Sequence, residues 1–176
     1  MSFVGSHLCS HCYCAGGPSL HPKLLRRLAN LLSECNASLV ISSSWRKNAS
    51  YMAVFGAKMK EVGVAESRIR AYTGFIDLTI IMERMKEHEQ FTGDSAKDAR
   101  TCAQLQRLLE IEEFVNSKGG GRPYSILDDL DLTEAAKERG LEQHFIKVDP
   151  DSGLTESNAE AAKQAMLHEE PRQRGR

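Results

Sequence analysis

The feature that most constrains this chain is a short uncharged run that ends in two adjacent carboxylates. Residues 124–131 read YSILDDLD. Residues 124–127 have the length and composition of a buried strand. Asp128 and Asp129 then stand at its carboxyl end. Charge in that position is costly unless something pairs with it. In open α/β sheets the carboxyl edge is also where ligands bind. Two carboxylates there suit a hard cation such as Mg²⁺, which takes oxygen ligands and shares them with a phosphate. They equally suit a solvated acidic turn or a helix N-terminus, where negative charge is favourable. The stretch alone leaves both readings open.

The surrounding chain alternates between helical and strand patterns. Residues 23–35 set Leu24, Leu25, Leu28, Leu31 and Leu32 on one helical face, behind a first-turn proline, Pro22. Residues 38–41, SLVI, predict a strand that runs into Ser42, Ser43, Ser44, Trp45, Arg46 and Lys47. Hydroxyls, free backbone N–H groups and cations after a buried strand make a plausible phosphate cradle. A helix is predicted over 51–62, an extended passage over 65–79 with a turn at Thr73-Gly74, and a helix over 78–90. Residues 91–99 read as a polar loop and 100–115 as a long helix. After the acidic strand come a short helix over 133–139 stopped by Gly140, a strand over 144–148, and a last helix opened by Thr155 with Asn158. This order predicts an α/β domain of three layers, Rossmann-like, with a parallel sheet and helices on both faces. Its crossovers are expected to be right-handed.

With 176 residues the chain suits one domain with a core of its own. The expected organisation is an atypical Cys/His-rich segment over 1–17, the α/β domain over 18–167, and a disordered tail over 168–176. Lys and Arg number 23 against 24 Asp and Glu, a formal charge of -1, so there is no strong general signal for nucleic acid. No apolar run approaches a membrane span, and no signal peptide is evident. Five cysteines without a secretion signal favour reduced thiols and a cytoplasmic location.

The pieces LHPKLLRRLANLL, LVISSSWRK, RLLEIEEFV, YSILDDLD and HFIKVDPDSGLT stand in an order that resembles a haloacid dehalogenase (HAD) superfamily domain. The closest likeness is to the subgroup whose second motif is a strand followed by SSSWR. The resemblance covers roughly residues 18–166 and implies a HAD-like fold with Mg²⁺-dependent phosphohydrolase chemistry. By the family's pattern Ser42 or Ser43 binds the transferring phosphoryl group, with Arg46 beside them. Arg107 is the basic motif III residue, with Lys97 as the runner-up. Asp128 and Asp129 hold Mg²⁺, and Asp131 supports them. Phosphoryl transfer needs positioning and charge neutralisation above all, which such a set supplies. Some relatives are linked to RNA repair. By that analogy the partner is a phosphorylated small molecule or a polynucleotide end.

One motif is absent. The family begins with DxD at the end of its first strand, the first Asp being the nucleophile and the second the general acid and base. This chain has no Asp before Asp77 and no Glu before Glu34. An ungapped overlay on FVGSHLCS sets Phe3 and Gly5 at the two Asp positions. The chain is therefore expected to be inactive, with Mg²⁺ affinity lowered. Three explanations stand in order: a truncated or alternative gene model whose first strand lies upstream, a pseudoenzyme that binds phosphate or nucleotide, or replacement chemistry from His7, Cys9, His11, Cys12 and Cys14. Cys9 and Cys12 have the spacing of half a Zn²⁺ site, but no second pair follows. A cysteine phosphatase would need an Arg soon after Cys14, where the chain reads AGGPSL. Trp45 either stacks on a base or packs against a helix. Residues 78–103 read either as a cap over the pocket or as a structural helix pair.

Overall fold

A computed structural model describes residues 2–5, 13–14, 17–18, 20–88, 90–119 and 121–167, with side chains from residue 20 onward. In chain order the elements are β1 (Ser2–Gly5), β2 (Tyr13–Cys14), β3 (Gly17–Pro18), α1 (Pro22–Glu34), β4 (Ser38–Ile41), α2 (Ala49–Glu61) and β5 (Ile69–Tyr72). They continue with α3 (Leu78–Glu87), α4 (Ser95–Lys118), β6 (Tyr124–Asp128), α5 (Thr133–Glu138), β7 (Phe145–Lys147) and α6 (Glu156–Leu167). Five strands pair in the order β5-β4-β1-β6-β7, every pair parallel. The short β2 and β3 pair antiparallel with each other.

The three layers follow from period-two alternation along the strands. Leu39 and Ile41 of β4 and Leu127 of β6 join the core under α1, α2 and α6, with Leu32, Phe55, Met59 and Met166. Val40 and Ile126, their neighbours along the chain, join the opposite core, with Leu108, Ile111 and Phe114 of α4 and Ala136 of α5. Strand β6 is buried along its whole length, as a central parallel strand covered on both faces must be. Helix α3 packs on α4 through a smaller cluster of Ile81, Met85, Leu105 and Leu109, so residues 78–103 hold α3 and the start of α4, and the core of this helix pair extends to Leu109.

Local chemistry sets the ends. His21 Nδ1 accepts from Lys23 N–H and Pro22 opens α1, as expected. Thr155 and Asn158 cap α6 reciprocally: the Thr155 N–H donates to Asn158 Oδ1 at 3.0 Å and the Asn158 N–H donates to Thr155 Oγ1 at 3.1 Å. Gly140, at φ 64°, closes the turn after α5. Helix α4 starts five residues before the expected 100, inside what read as a polar loop. Asp94 Oδ1 accepts from the N–H groups of Ala96 and Lys97 at 2.9 and 3.1 Å, which moves the start to Ser95. The extended passage over 65–79 shrinks to β5, preceded by a 3₁₀ turn at Glu66–Arg68.

The larger correction concerns the N-terminus. The domain was expected to begin at residue 18, with a first strand missing or upstream. Instead β1, Ser2–Gly5, fills the centre of the sheet between β4 and β6. The expected tail over 168–176 and the cluster of His7, Cys9, His11 and Cys12 lie outside the described residues, and only the backbone of Cys14 is described. Among the described residues no helix is long and apolar enough to cross a membrane.

Ile126 is fully buried at the middle of β6. Ile126→Ala should lower stability by about 3 kcal/mol, read as a shift in the urea unfolding midpoint with an unchanged slope.

Candidate functional site

The sheet register brings two polar tips together. Gly5 pairs with Ile41 on one side and with Leu127 on the other, so β4 and β6 end level across β1. Ser42 follows Ile41 and Asp128 follows Leu127, and both are fully buried. Arg107 reaches them from α4. Its Nη1 donates to Asp128 Oδ2 at 3.2 Å and lies 3.5 Å from Ser42 Oγ. The other carboxylate oxygen of Asp128 accepts the Leu130 N–H at 3.0 Å. A guanidinium thus bridges the serine-tipped and aspartate-tipped strands. Lys97 stands exposed in the first turn of α4, so of the two basic candidates Arg107 is the one at the tips.

The two serines separate. Ser42 Oγ faces Arg107, whereas Ser43 Oγ accepts from the Trp45 N–H at 3.3 Å and caps the 3₁₀ turn Ser44–Lys47. Trp45 is half-buried, packs against the α1–α2 core, and meets Tyr51 edge-on at 6.4 Å. That is the helix-packing alternative for this tryptophan.

Arg46, expected beside the phosphate, has a side chain only 7% exposed, and its donors go to acceptors within the protein. It donates to the carbonyls of Ser42 and Ser43, to Gly74 O at 3.0 Å, and to Glu110 Oε2 at 2.6 Å. Arg46 is therefore a staple beneath the loop after β4. Its partner Glu110 is itself buried, and its second oxygen accepts the Ile76 N–H at 3.4 Å.

Glu110 was not anticipated, yet the spacing holds a signal. Gln104, Arg107 and Glu110 lie three apart and share a face of α4. Gln104 Nε2 donates to Asp131 O at 2.6 Å, Arg107 reaches Asp128 and Ser42, and Glu110 holds Arg46. Thr73 was also missed. It is buried, its N–H donates to Ile41 O at 3.1 Å, and its Oγ1 has no hydrogen-bond partner among the described residues. Nothing in the sequence around Thr73-Gly74 marks it as more than a turn.

Asp129 is half-buried next to Asp128. Among the described residues no group of three His, Cys, Asp or Glu side chains could enclose a metal ion. Mg²⁺ does not need such a cage, because it keeps waters and takes one or two carboxylates together with a phosphate. Asp128 and Asp129 fit that incomplete kind of site, with one oxygen of Asp128 already turned to Arg107. Asp131 stands outside it: Lys147 Nζ and Thr133 Oγ1 both donate to it at 2.7 Å and hold its carboxyl down to about 2. Burial pushes the thiols of Cys35 and Cys102 up, so neither is primed as a nucleophile.

A family model described as the HAD domain in Swiss Army Knife RNA repair proteins matches residues 7–159. The chain belongs to this family. It is a HAD-like α/β domain of phosphatase type. No curated protein and no solved structure matches it. The HAD match begins at residue 7, before residue 18, where the resemblance was expected to start, and after the end of β1 at Gly5. The overlay set Phe3 and Gly5 against the HAD aspartates, and in the sheet Gly5 pairs with Ile41 and Leu127. As Ser42 follows Ile41 and Asp128 follows Leu127, the residue that follows Gly5 is Ser6, and two further on is Leu8. Neither is a carboxylate.

Two outcomes test this geometry. Glu110→Ala leaves the Arg46 guanidinium buried without its counter-charge and should cost about 3 kcal/mol or more in urea unfolding. Arg46→Met combined with Glu110→Leu should cost clearly less than the two single changes added together. For Asp131 the folded value lies below the unfolded one, so its contribution is present above about pH 4 and is lost as pH falls toward 2. Lys147→Ala should return the Asp131 carboxyl toward the usual 3.8, followed by carboxyl-carbon NMR titration.

Proposed function

We propose that this domain binds a phosphoryl group between Ser42, Arg107 and the Asp128–Asp129 pair, and that it does not turn the ester over by the family's aspartyl-phosphate route. The observation that carries the reading is the single guanidinium shared by Ser42 and Asp128. A hydroxyl and a guanidinium converging at a buried strand tip are the donors a phosphoryl oxygen takes. Ser42 Oγ donates to the phosphoryl group, and Arg107 neutralises it from the α4 side. The phosphorylated ligand is a small ester or a polynucleotide end, the latter favoured by the RNA repair context of the matching family.

Two adjacent carboxylates at a strand tip suit Mg²⁺, which takes one or two carboxylates together with a phosphate. Mg²⁺ held by these carboxylates would supply charge neutralisation for the phosphoryl oxygens. The inactive half of the proposal rests on sequence, since no Asp precedes Asp77 and no Glu precedes Glu34. A reducing compartment such as the cytoplasm suits the free thiols of Cys35 and Cys102.

Calorimetry with inorganic phosphate should show binding in Mg²⁺ and none in EDTA. Ser42→Ala and Arg107→Met should each weaken that binding about tenfold or more, as expected for a charge-assisted hydrogen bond. An aryl phosphate should not be hydrolysed by the unaltered chain. The double change Ser6→Asp with Leu8→Asp should introduce Mg²⁺-dependent hydrolysis. Turnover by the unaltered chain would refute the inactive half, and absence of phosphate binding in Mg²⁺ would refute the site.

A further inference from the structure

Beside the loop that carries Ser42, the loop after β5 presents an aromatic ring to solvent on an unusually well-tied backbone. The Thr73 N–H donates to Ile41 O, which draws this loop against the end of β4. Arg46 joins the two loops, donating to Ser42 O and Ser43 O on one side and to Gly74 O on the other. Ile76 is pinned in turn, its N–H on Glu110 and its carbonyl accepting from Gln106 Nε2 at 2.6 Å. Phe75 lies between these two anchored residues with 57% of its surface exposed. Tyr72, whose Cα pairs with that of Ile41, is 47% exposed. Lys47 Nζ stands 3.8 Å above the centre of the Phe75 ring.

Single exposed apolar residues are ordinary on protein surfaces. This one differs in its support and its place. A buried ion pair and several backbone hydrogen bonds fix the loop that carries it, and one guanidinium joins the carbonyls of Ser42 and Gly74. An aromatic face with a lysine ammonium beside it is what an unpaired nucleobase and its neighbouring phosphodiester require.

We infer that Phe75, flanked by Tyr72 and Lys47, is a stacking platform for the terminal base of a single-stranded nucleic acid whose end phosphate lies against Ser42 and Arg107. The inference rests on the phosphate site proposed above and specifies its ligand. The base takes the ring face, and the Lys47 ammonium moves from the ring to the adjoining phosphodiester. Stacking of this kind tolerates any base, so selection acts on the presence of a base and on its being unpaired.

The test compares inorganic phosphate, ribose 5-phosphate, and a short single-stranded RNA with and without a terminal phosphate, all in Mg²⁺. Binding is read by calorimetry and by the fluorescence of Trp45, the sole tryptophan, on the neighbouring loop. The end-phosphorylated RNA should bind about tenfold or more tighter than ribose 5-phosphate. Phe75→Ala should remove that advantage and leave the affinity for inorganic phosphate unchanged, while Phe75→Trp should keep it. The inference is overturned if Phe75→Ala leaves RNA binding intact, or weakens phosphate and RNA alike. It is also overturned if RNA binds no better than ribose 5-phosphate, which would leave the ring to a protein partner. The two proposals fail separately. Phosphate binding without an RNA advantage removes the platform alone, and Phe75-dependent binding of unphosphorylated RNA without phosphate binding removes the hollow alone.

Discussion

A carboxylate with no exposed surface at the end of a buried strand must be neutralised where it stands. In this chain Asp128 is met by Arg107 on one oxygen and the Leu130 N–H on the other. Much of the carboxyl edge follows from that requirement. The guanidinium has to come from a helix crossing the strand tips, which fixes both the position of α4 and the face it turns to the sheet. Once Arg107 is placed, helical spacing carries Gln104 to the loop after β6 and Glu110 to the loop after β4. A narrow polar stripe on an otherwise apolar helix face thus orders several loops. Sliding α4 by one residue would break these contacts together, because they share one helix face.

The Arg46–Glu110 pair shows how a buried charge can be structural. Its attraction is offset by the desolvation of both ions, so its net worth as stabilisation is modest. Its geometry matters more. One guanidinium fork satisfies carbonyls on the loops after β4 and β5 and ties them together. The outcome is a rigid edge on which Ser42 and Phe75 keep a fixed relation. A lysine at position 46 could not span the same acceptors.

The architecture was legible where pattern and period agree. Strand β4 falls on residues 38–41 as read, and β6 runs one residue past its expected end, because Asp128 still pairs with Lys147 in the ladder. The alternation of helices and strands was enough for a parallel three-layer domain. Burial was not legible. Arg46, Lys47 and Arg107 look alike as cations near predicted strand ends, and only tertiary packing separates a staple, an exposed side chain and the group at Asp128. Ser42 and Ser43 were indistinguishable for a similar reason, since either hydroxyl could cap the turn until the register decided. Strand β1 was hidden because SFVG is short and runs into polar residues. Its pairing comes from two flanking strands, which its own four residues do not announce.

That last point bears on how the domain keeps its fold without the aspartates of its family. What β1 supplies to the sheet is backbone pairing on both sides, and this does not depend on which side chains follow Gly5. Two further carboxylates beside Asp128 and Asp129 would add like charge at close range, which destabilises the unliganded state. Active sites carry such strain in exchange for function, and losing it commonly favours the fold. A sequence without DxD therefore has no structural reason to lose the Ser42–Arg107–Asp128 bridge. In the site proposed above, it gives up the nucleophile and part of the pull on a cation, and it keeps Ser42, Arg107 and Asp128 together. Binding and turnover are separable in that proposal, because Ser42, Arg107 and the Asp128–Asp129 pair serve the one and side chains following β1 the other.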